Sequence, residues 1–332
     1  MKNKIAVVFT GGTISMKKDP ELNVAVPALS GDEILSMVPN INEIAEVEII
    51  SFGKLPGPHM SPIKMMGLSN LVKKLISRED ITSVVITHGT DTLEETAYLL
   101  DLNIRTEKPI VVVGAMRNSS ELGYDGPSNL SAAVFTALSP KSRGKGVLVV
   151  MNDEVNTAYE VTKTNTLSLS TFKSLEFGAL GIVDNNEVIF YRDIIIRDNY
   201  INTDKIENNV ALLKCVAGMN SDLINFCIDS NYKGIVIEAL GRGNVPIEML
   251  EGIKKAIEKN IPVVIVSRCH SGRVLDSYGY PGGGKDLRDL GCIFGSNLPG
   301  QKARIKLMLA LTITQDLKLL KQIFEKNIYS DI

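Results

Sequence analysis

The sequence predicts an α/β protein in two parts: a larger N-terminal domain on a mostly parallel sheet with crossover helices, then a smaller C-terminal α/β domain. Short Val- and Ile-rich runs, apolar on both faces, alternate with segments of helical period, the mark of strands buried between layers of helices. The alternation lapses after Val161 and restarts at Val210. The length, 332 residues, is also more than one domain usually needs.

Strands are expected at residues 5–10, 47–52, 83–87, 110–115 and 147–151. Between them, Leu68, Leu71, Val72, Leu75 and Ile76 recur at helical spacing and form one apolar stripe, and further helices are expected over 92–103 and 128–138. A Thr/Ser/Asn-rich stretch follows Val161, then a hairpin over 181–192 turning at Asp184-Asn185-Asn186. Residues 193–209 are polar and lack helical period, which makes them the expected linker between domains 1–192 and 210–332. The second domain should run strand 210–216, helix 221–230, strand 234–239, helix 246–259, strand 262–267 and a closing helix from about Gln301. No internal repeat relates the halves.

Composition excludes several classes. Lysine and arginine number 36 against 38 acidic residues, a net charge of −2, so no general basic field draws nucleic acid or an acidic membrane surface. Hydrophobic residues at 44% and charged residues at 22% can build full cores. No apolar run approaches the roughly 18 residues that span a bilayer. The N-terminus passes from Lys2 and Lys4 straight into a β-branched run without the apolar segment of a signal peptide, so a cytoplasmic location is expected. Cys215, Cys227, Cys269 and Cys292 are widely separated and should be buried, reduced thiols, while His59, His88 and His270 have no metal-ligand spacing. Neither a metal nor a cofactor is therefore expected.

In an open parallel sheet, ligands bind beyond the carboxyl ends of the strands. Three such loops stand out: Thr10-Gly11-Gly12-Thr13-Ile14, His88-Gly89-Thr90-Asp91-Thr92 and Gly114-Ala115-Met116-Arg117. The paired glycines permit close backbone approach to a ligand and present N–H groups that could stabilise an oxyanion beside Thr13. Taken alone, the same residues also suit a tight turn capped by Thr13. Thr90 and Asp91 equally suit the N-terminal cap of a helix carrying Glu94 and Glu95. A second hydroxyl beside a carboxylate at this edge, with Lys163 further along, nevertheless resembles an activated-hydroxyl set, because threonine needs a positioned base to act as a nucleophile. His88, before a glycine at a strand end, reads as a structural hydrogen-bonding residue. There is no phosphate-binding glycine loop and no G-x-S-x-G elbow.

Taken together, these loops resemble the bacterial L-asparaginase (asparaginase/glutaminase) family, cytoplasmic type. Val7-Val8-Phe9-Thr10-Gly11-Gly12-Thr13-Ile14-Ser15 resembles its first signature, and His88-Gly89-Thr90-Asp91-Thr92-Leu93-Glu94-Glu95-Thr96-Ala97 its second. Further blocks recur in order, among them Asp125-Gly126-Pro127, residues 161–166, Thr171-Phe172-Lys173-Ser174 and Gln301-Lys302-Ala303-Arg304. The resemblance implies hydrolysis of a small amide substrate to a carboxylate and ammonia, with Thr13 as the nucleophile and Thr90, Asp91 and Lys163 as a second catalytic set. It implies substrate contacts at Gly12, Thr90 and Asp91, and a homo-oligomer, usually a dimer of dimers, in which Asn244 extends toward a neighbouring subunit's site.

The chain departs from that family at three places. Residues 16–30, which follow the nucleophile as a lid, contain no tyrosine. The region expected to hold the substrate's α-carboxylate and α-amino groups reads Gly53-Lys54-Leu55-Pro56-Gly57-Pro58-His59-Met60, so His59 and Lys54 become candidates for that pocket. The cross-subunit glutamate has no counterpart in residues 279–285, where Tyr280, or Tyr278 just before, could reach the site instead. L-asparagine is the leading substrate, another small amide or lactam the alternative, and a non-catalytic amino-acid sensor the reading from a different class.

Overall fold

A computed structural model describes residues 3–194 and 196–325. The chain forms two compact units, Met1–Tyr200 and Ile201–Ile332. The first contains β1 (Lys4–Gly11), β2 (Met16–Lys18), β3 (Ala25–Pro27), α1 (Gly31–Ser36), α2 (Ile41–Ile44), β4 (Glu46–Leu55), α3 (Pro62–Ser77), β5 (Ile81–Thr87), α4 (Leu93–Asn103), β6 (Ile110–Val113), α5 (Gly126–Leu138), β7 (Val147–Met151), β8 (Glu154–Thr157), β9 (Thr162–Lys163), β10 (Phe172–Lys173), β11 (Gly181–Asp184) and β12 (Glu187–Phe190). Eight of these strands make one sheet, ordered β12-β11-β8-β7-β6-β5-β1-β4. It is parallel from β7 through β4 and antiparallel from β7 to β12.

Both faces of the parallel strands are buried, which is why they read as unbroken apolar runs. Val7, Val85 and Val111 pack with Ile34 of α1 and Leu130 and Ala133 of α5 on one face. Val8, Ile86 and Val112 pack with Leu68 and Val72 of α3 and Ala97 and Leu100 of α4 on the other. The chain leaves β1 toward the α1 side and β5 toward the α4 side, although β1 and β5 are neighbours. Their carboxyl ends thus diverge and open a crevice, the switch point at which such sheets hold ligands.

Several elements differ from sequence expectation for local reasons. The strand expected to reach residue 115 stops at Val113, because a Cβ at Gly114 would stand 2.8 Å from the His88 carbonyl oxygen and the chain must turn away. The hairpin β2–β3 has three residues a side, too short for any period to register. The turn between β11 and β12 places Asn185 and Asn186 in the left-handed region, as the asparagine pair suggested. Asp198, in the stretch expected as linker, belongs to the first unit: the Tyr98 hydroxyl donates to its carboxylate, and Arg105 Nη2 donates to its carbonyl at 2.8 Å.

The second unit contains β13 (Val210–Lys214), α6 (Asp222–Asp229), β14 (Gly234–Ala239), α7 (Leu250–Glu258), β15 (Val263–Ser267), α8 (Gly284–Leu290), β16 (Ile293–Phe294), α9 (Gly300–Ala310) and α10 (Leu317–Glu325). Its four strands form a parallel sheet in sequence order. Pro246 begins a short 3-10 turn, so the expected helix over 246–259 becomes regular only at Leu250. All four cysteines are free, but Cys269 is exposed rather than buried, since it lies in the loop after β15. No helix among the described residues is long and apolar enough to cross a membrane.

Candidate active site

Glycines bring the strand-edge loops together. Gly12 has φ of 84°, a conformation that side chains disfavour, and a Cβ there would stand 2.4 Å from the Cα and N of Gly89. A Cβ on Gly89 would in turn stand 2.5 Å from the Cα of Gly57. The backbones of the loops after β1, β5 and β4 therefore touch directly. Thr13 and Thr90, each the residue after a touching glycine, start from one point. Gly12 N–H donates to Leu55 O at 2.8 Å, Thr92 Oγ1 to Gly57 O at 2.8 Å and Thr10 Oγ1 to Thr87 O at 2.8 Å, which sew the same three strand ends together.

Thr13 opens a single 3-10 turn, Thr13–Ser15, and is partly buried. Among the described residues its hydroxyl has no hydrogen-bond partner, and its N–H and that of Thr90 are likewise unused. Because Gly12 N–H is committed to Leu55, the backbone donors open to an oxyanion include those of the two threonines but not that of Gly12.

Thr90 is 6% exposed. Lys163 Nζ donates to Thr90 Oγ1 at 3.0 Å and to Asp91 Oδ1 at 2.9 Å, so one ammonium joins the hydroxyl and the carboxylate across 73 residues of sequence. Capping does not account for Thr90 and Asp91: the N-cap of α4 is Thr92, with no side-chain cap bond. Lys163 is carried by the β9–β10 hairpin, where Thr164 N–H donates to Thr171 O and Asn165 Oδ1 accepts from the N–H groups of Leu167 and Ser168. Glu94, in the first turn of α4, anchors that hairpin by accepting Lys163 N–H at 3.3 Å.

The third loop is tied from behind. The Asp125 carboxylate accepts Met116 N–H at 3.0 Å and Arg117 N–H at 2.9 Å. Asn129 donates to both Asp125 Oδ2 and Gly114 O, and its own oxygen accepts Asn152 N–H. His88 is fully buried with Nδ1 donating to Gly89 O and Nε2 accepting from Thr96 Oγ1, both at 2.8 Å. Burial lowers its pKa to about 4, so the ring stays neutral and holds the Gly89 turn.

Four expected residues, Thr13, Thr90, Asp91 and Lys163, thus meet or adjoin at the crevice with Gly12. His59 is exposed; its N–H donates to Pro56 O and its carbonyl accepts from Ser61 N–H and Lys64 Nζ, while its ring makes no hydrogen bond among the described residues. Lys54 Nζ donates to Ala28 O at 3.2 Å, bracing the segment after β3. Asn244 and Tyr280 belong to the second unit, where Asn244 Oδ1 accepts Gly284 N–H and Tyr280 stacks obliquely on Tyr278. Sequence reasoning gives no role to Asn129, places Gly57 in the substrate-contact segment and Glu94 in a helix start and the second signature without their bonding roles, and names Asp125 only within its Asp-Gly-Pro block. Among the described residues no group of three or more His, Cys, Asp or Glu side chains could hold a metal ion.

Comparison with known proteins gives a consistent result. The family pattern described as asparaginase, N-terminal, matches residues 4–196, and that of the glutaminase/asparaginase C-terminal domain matches residues 209–324. An L-asparaginase of Bacillus licheniformis is 34% identical over 311 residues, covering 94% of this chain and 96% of the relative. A probable periplasmic L-asparaginase of Haemophilus influenzae is 36% identical over 328 residues, covering 97% and 92%. The crystal structure of a probable cytoplasmic L-asparaginase from Campylobacter jejuni superposes with a TM-score of 0.88 at 33% identity, covering 97% of this chain and 99% of that one.

Proposed function

The chain belongs to the asparaginase family, and on that premise we infer that it hydrolyses L-asparagine to L-aspartate and ammonia through an acyl-enzyme on Thr13. In this reading Thr13 Oγ1 attacks the side-chain amide carbon. The tetrahedral oxyanion is held by the unused backbone N–H groups of Thr13 and Thr90, where no reorganisation is needed as charge develops. The proton given up by the Thr13 hydroxyl is delivered to the amide nitrogen, which leaves as ammonia, and an ester remains on Thr13. Water then attacks the ester beside Thr90 and Lys163, with Asp91 holding the lysine, and the carboxylate is freed.

The observation that carries this reading is the Lys163 ammonium bonded to both Thr90 and Asp91 at the glycine-packed edge beside Thr13. The test is ammonia release from a panel of amino-acid amides and lactams, with mass spectrometry of trapped acyl-protein. Asparagine should turn over and leave its acyl group on the peptide containing Thr13, and Thr13→Ala should lose about 10⁴-fold in kcat without loss of fold. Amide binding without turnover would instead identify a sensor, and turnover of a lactam alone would move the substrate assignment.

The same inference gives Asn244 and Tyr280 to a neighbouring subunit's site in a cytoplasmic homo-oligomer, a dimer of dimers. Family membership supports the assembly, and the name of the Campylobacter protein supports the location, although the Haemophilus relative is named as periplasmic. An active species whose light-scattering mass is that of one chain would overturn the shared site, and cell fractionation decides the location.

A further inference from the structure

The turn that carries Thr13 is held from outside its own loop. Within the loop, Gly12 O accepts both the N–H and the hydroxyl of Ser15 at 2.9 Å, Thr13 O accepts Met16 N–H, and Ser15 O accepts the N–H groups of Ala28 and Leu29. The remaining carbonyl, that of Ile14, accepts the Tyr124 hydroxyl at 2.5 Å, a contact spanning 110 residues of sequence.

Tyr124 is itself well fixed. It packs partly buried against the core containing Ile14, and its phenol end lies against Gly126, where a Cβ would stand 2.3 Å from both Cζ and the hydroxyl oxygen. Burial and the adjacent Asp125 carboxylate push the phenol's pKa well above its ordinary value, so it remains a donor at any working pH. Neighbouring residues support the same strip. Ser119 donates to Met16 O through both N–H and Oγ, and Ser120 Oγ accepts Lys18 N–H. Asp125 is held by Met116, Arg117 and Asn129.

We propose that Tyr124 is a positioning residue for Thr13. Threonine is β-branched and restricted at χ1, so fixing its backbone fixes the direction of its oxygen. Tyr124 acts on the peptide that follows Thr13–Ile14, and with the bonds on Gly12 O and Thr13 O it leaves the nucleophile's turn no free carbonyl through which to rotate.

The inference rests on Thr13 being the nucleophile, so Thr13→Ala is run alongside. Tyr124→Phe removes one oxygen. It should lower kcat about tenfold, counted per trapped acyl site, with KM within about twofold and melting nearly unchanged, because misplacement of a reacting atom acts on the chemical step. Gly126→Ala leaves Tyr124 intact but displaces its phenol, and should lower kcat in the same way. Active Thr13→Ala would remove the premise. Inactive Thr13→Ala together with wild-type kcat per site in Tyr124→Phe and Gly126→Ala would overturn the proposal itself. So would a loss confined to melting temperature, active fraction or KM.

Discussion

Two adjoining stretches of the chain differ sharply in how they are held. In the turn from Gly12 to Ser15 every backbone carbonyl has a partner, three residues are buried, and the Gly12 backbone lies against that of Gly89. The hairpin β2–β3 begins at the next residue, yet Glu21 to Ala25 at its tip are all exposed, Leu22 at 66%, and Asp19 is their main internal tie through the N–H groups of Glu21 and Leu22. A reacting oxygen needs a fixed origin, whereas a cover over a crevice must be able to leave it, and low contact density is what permits such opening. Between the turn's end at Ser15 and the tip at Glu21, Ser119 and Ser120 of the 116–125 loop hold the strand at Met16 and Lys18.

Gly89→Ala attacks the fixed side most strongly. Its Cβ would lie 2.5 Å from Gly57 Cα, backbone that cannot yield cheaply, so a stability loss of about 3 kcal/mol and a kcat drop beyond tenfold are expected. Urea denaturation and steady-state ammonia release measure both; unchanged values would mean that the glycine contact is incidental.

An intermediate effect is expected from His88. Folded, its ring titrates near 4, and unfolded near the ordinary 6.5, so between those values the unfolded chain takes up a proton that the buried ring refuses. Stability therefore rises with pH across that window and is lost on acidification. The stability difference between pH 7 and pH 5 should shrink by about 2 kcal/mol in His88→Gln. An identical pH dependence in the variant would show the turn to be held by something other than the neutral imidazole.

Leu22→Ser, on the exposed tip, should be the mildest. Stability should move by less than about 0.5 kcal/mol and kcat by less than about twofold, as for surface changes away from packed features. A large loss of stability by melting would mean that the hairpin is packed more firmly than its exposure indicates.

What the sequence disclosed follows the physics of each part. Strands such as Val147–Met151 and Gly234–Ala239 are apolar on both faces and bounded by polar or turn residues, so burial alone locates them. Thr13, Thr90 and Asp91 are legible because each lies in the loop just past a strand end in a parallel sheet. Lys163 had no local signal beyond a polar stretch; its meeting with Thr90 is made by β9 and Glu94, and the resemblance supplied it. Gly57 was read as part of a substrate contact, while its role is to accept the backbone of Gly89. Tyr124 went unnoticed because a tyrosine in a polar loop carries no period, and its partner is a backbone carbonyl, which every residue possesses.

The contact among Gly12, Gly57 and Gly89 is made by main chain alone. The side chains of Lys54 and His59, carried by the segment that contains Gly57, take no part in that contact. Redesign of the surrounding side chains should leave these three positions as hydrogen, since the meeting of the strand ends depends on the absence of atoms there rather than on the identity of any side chain.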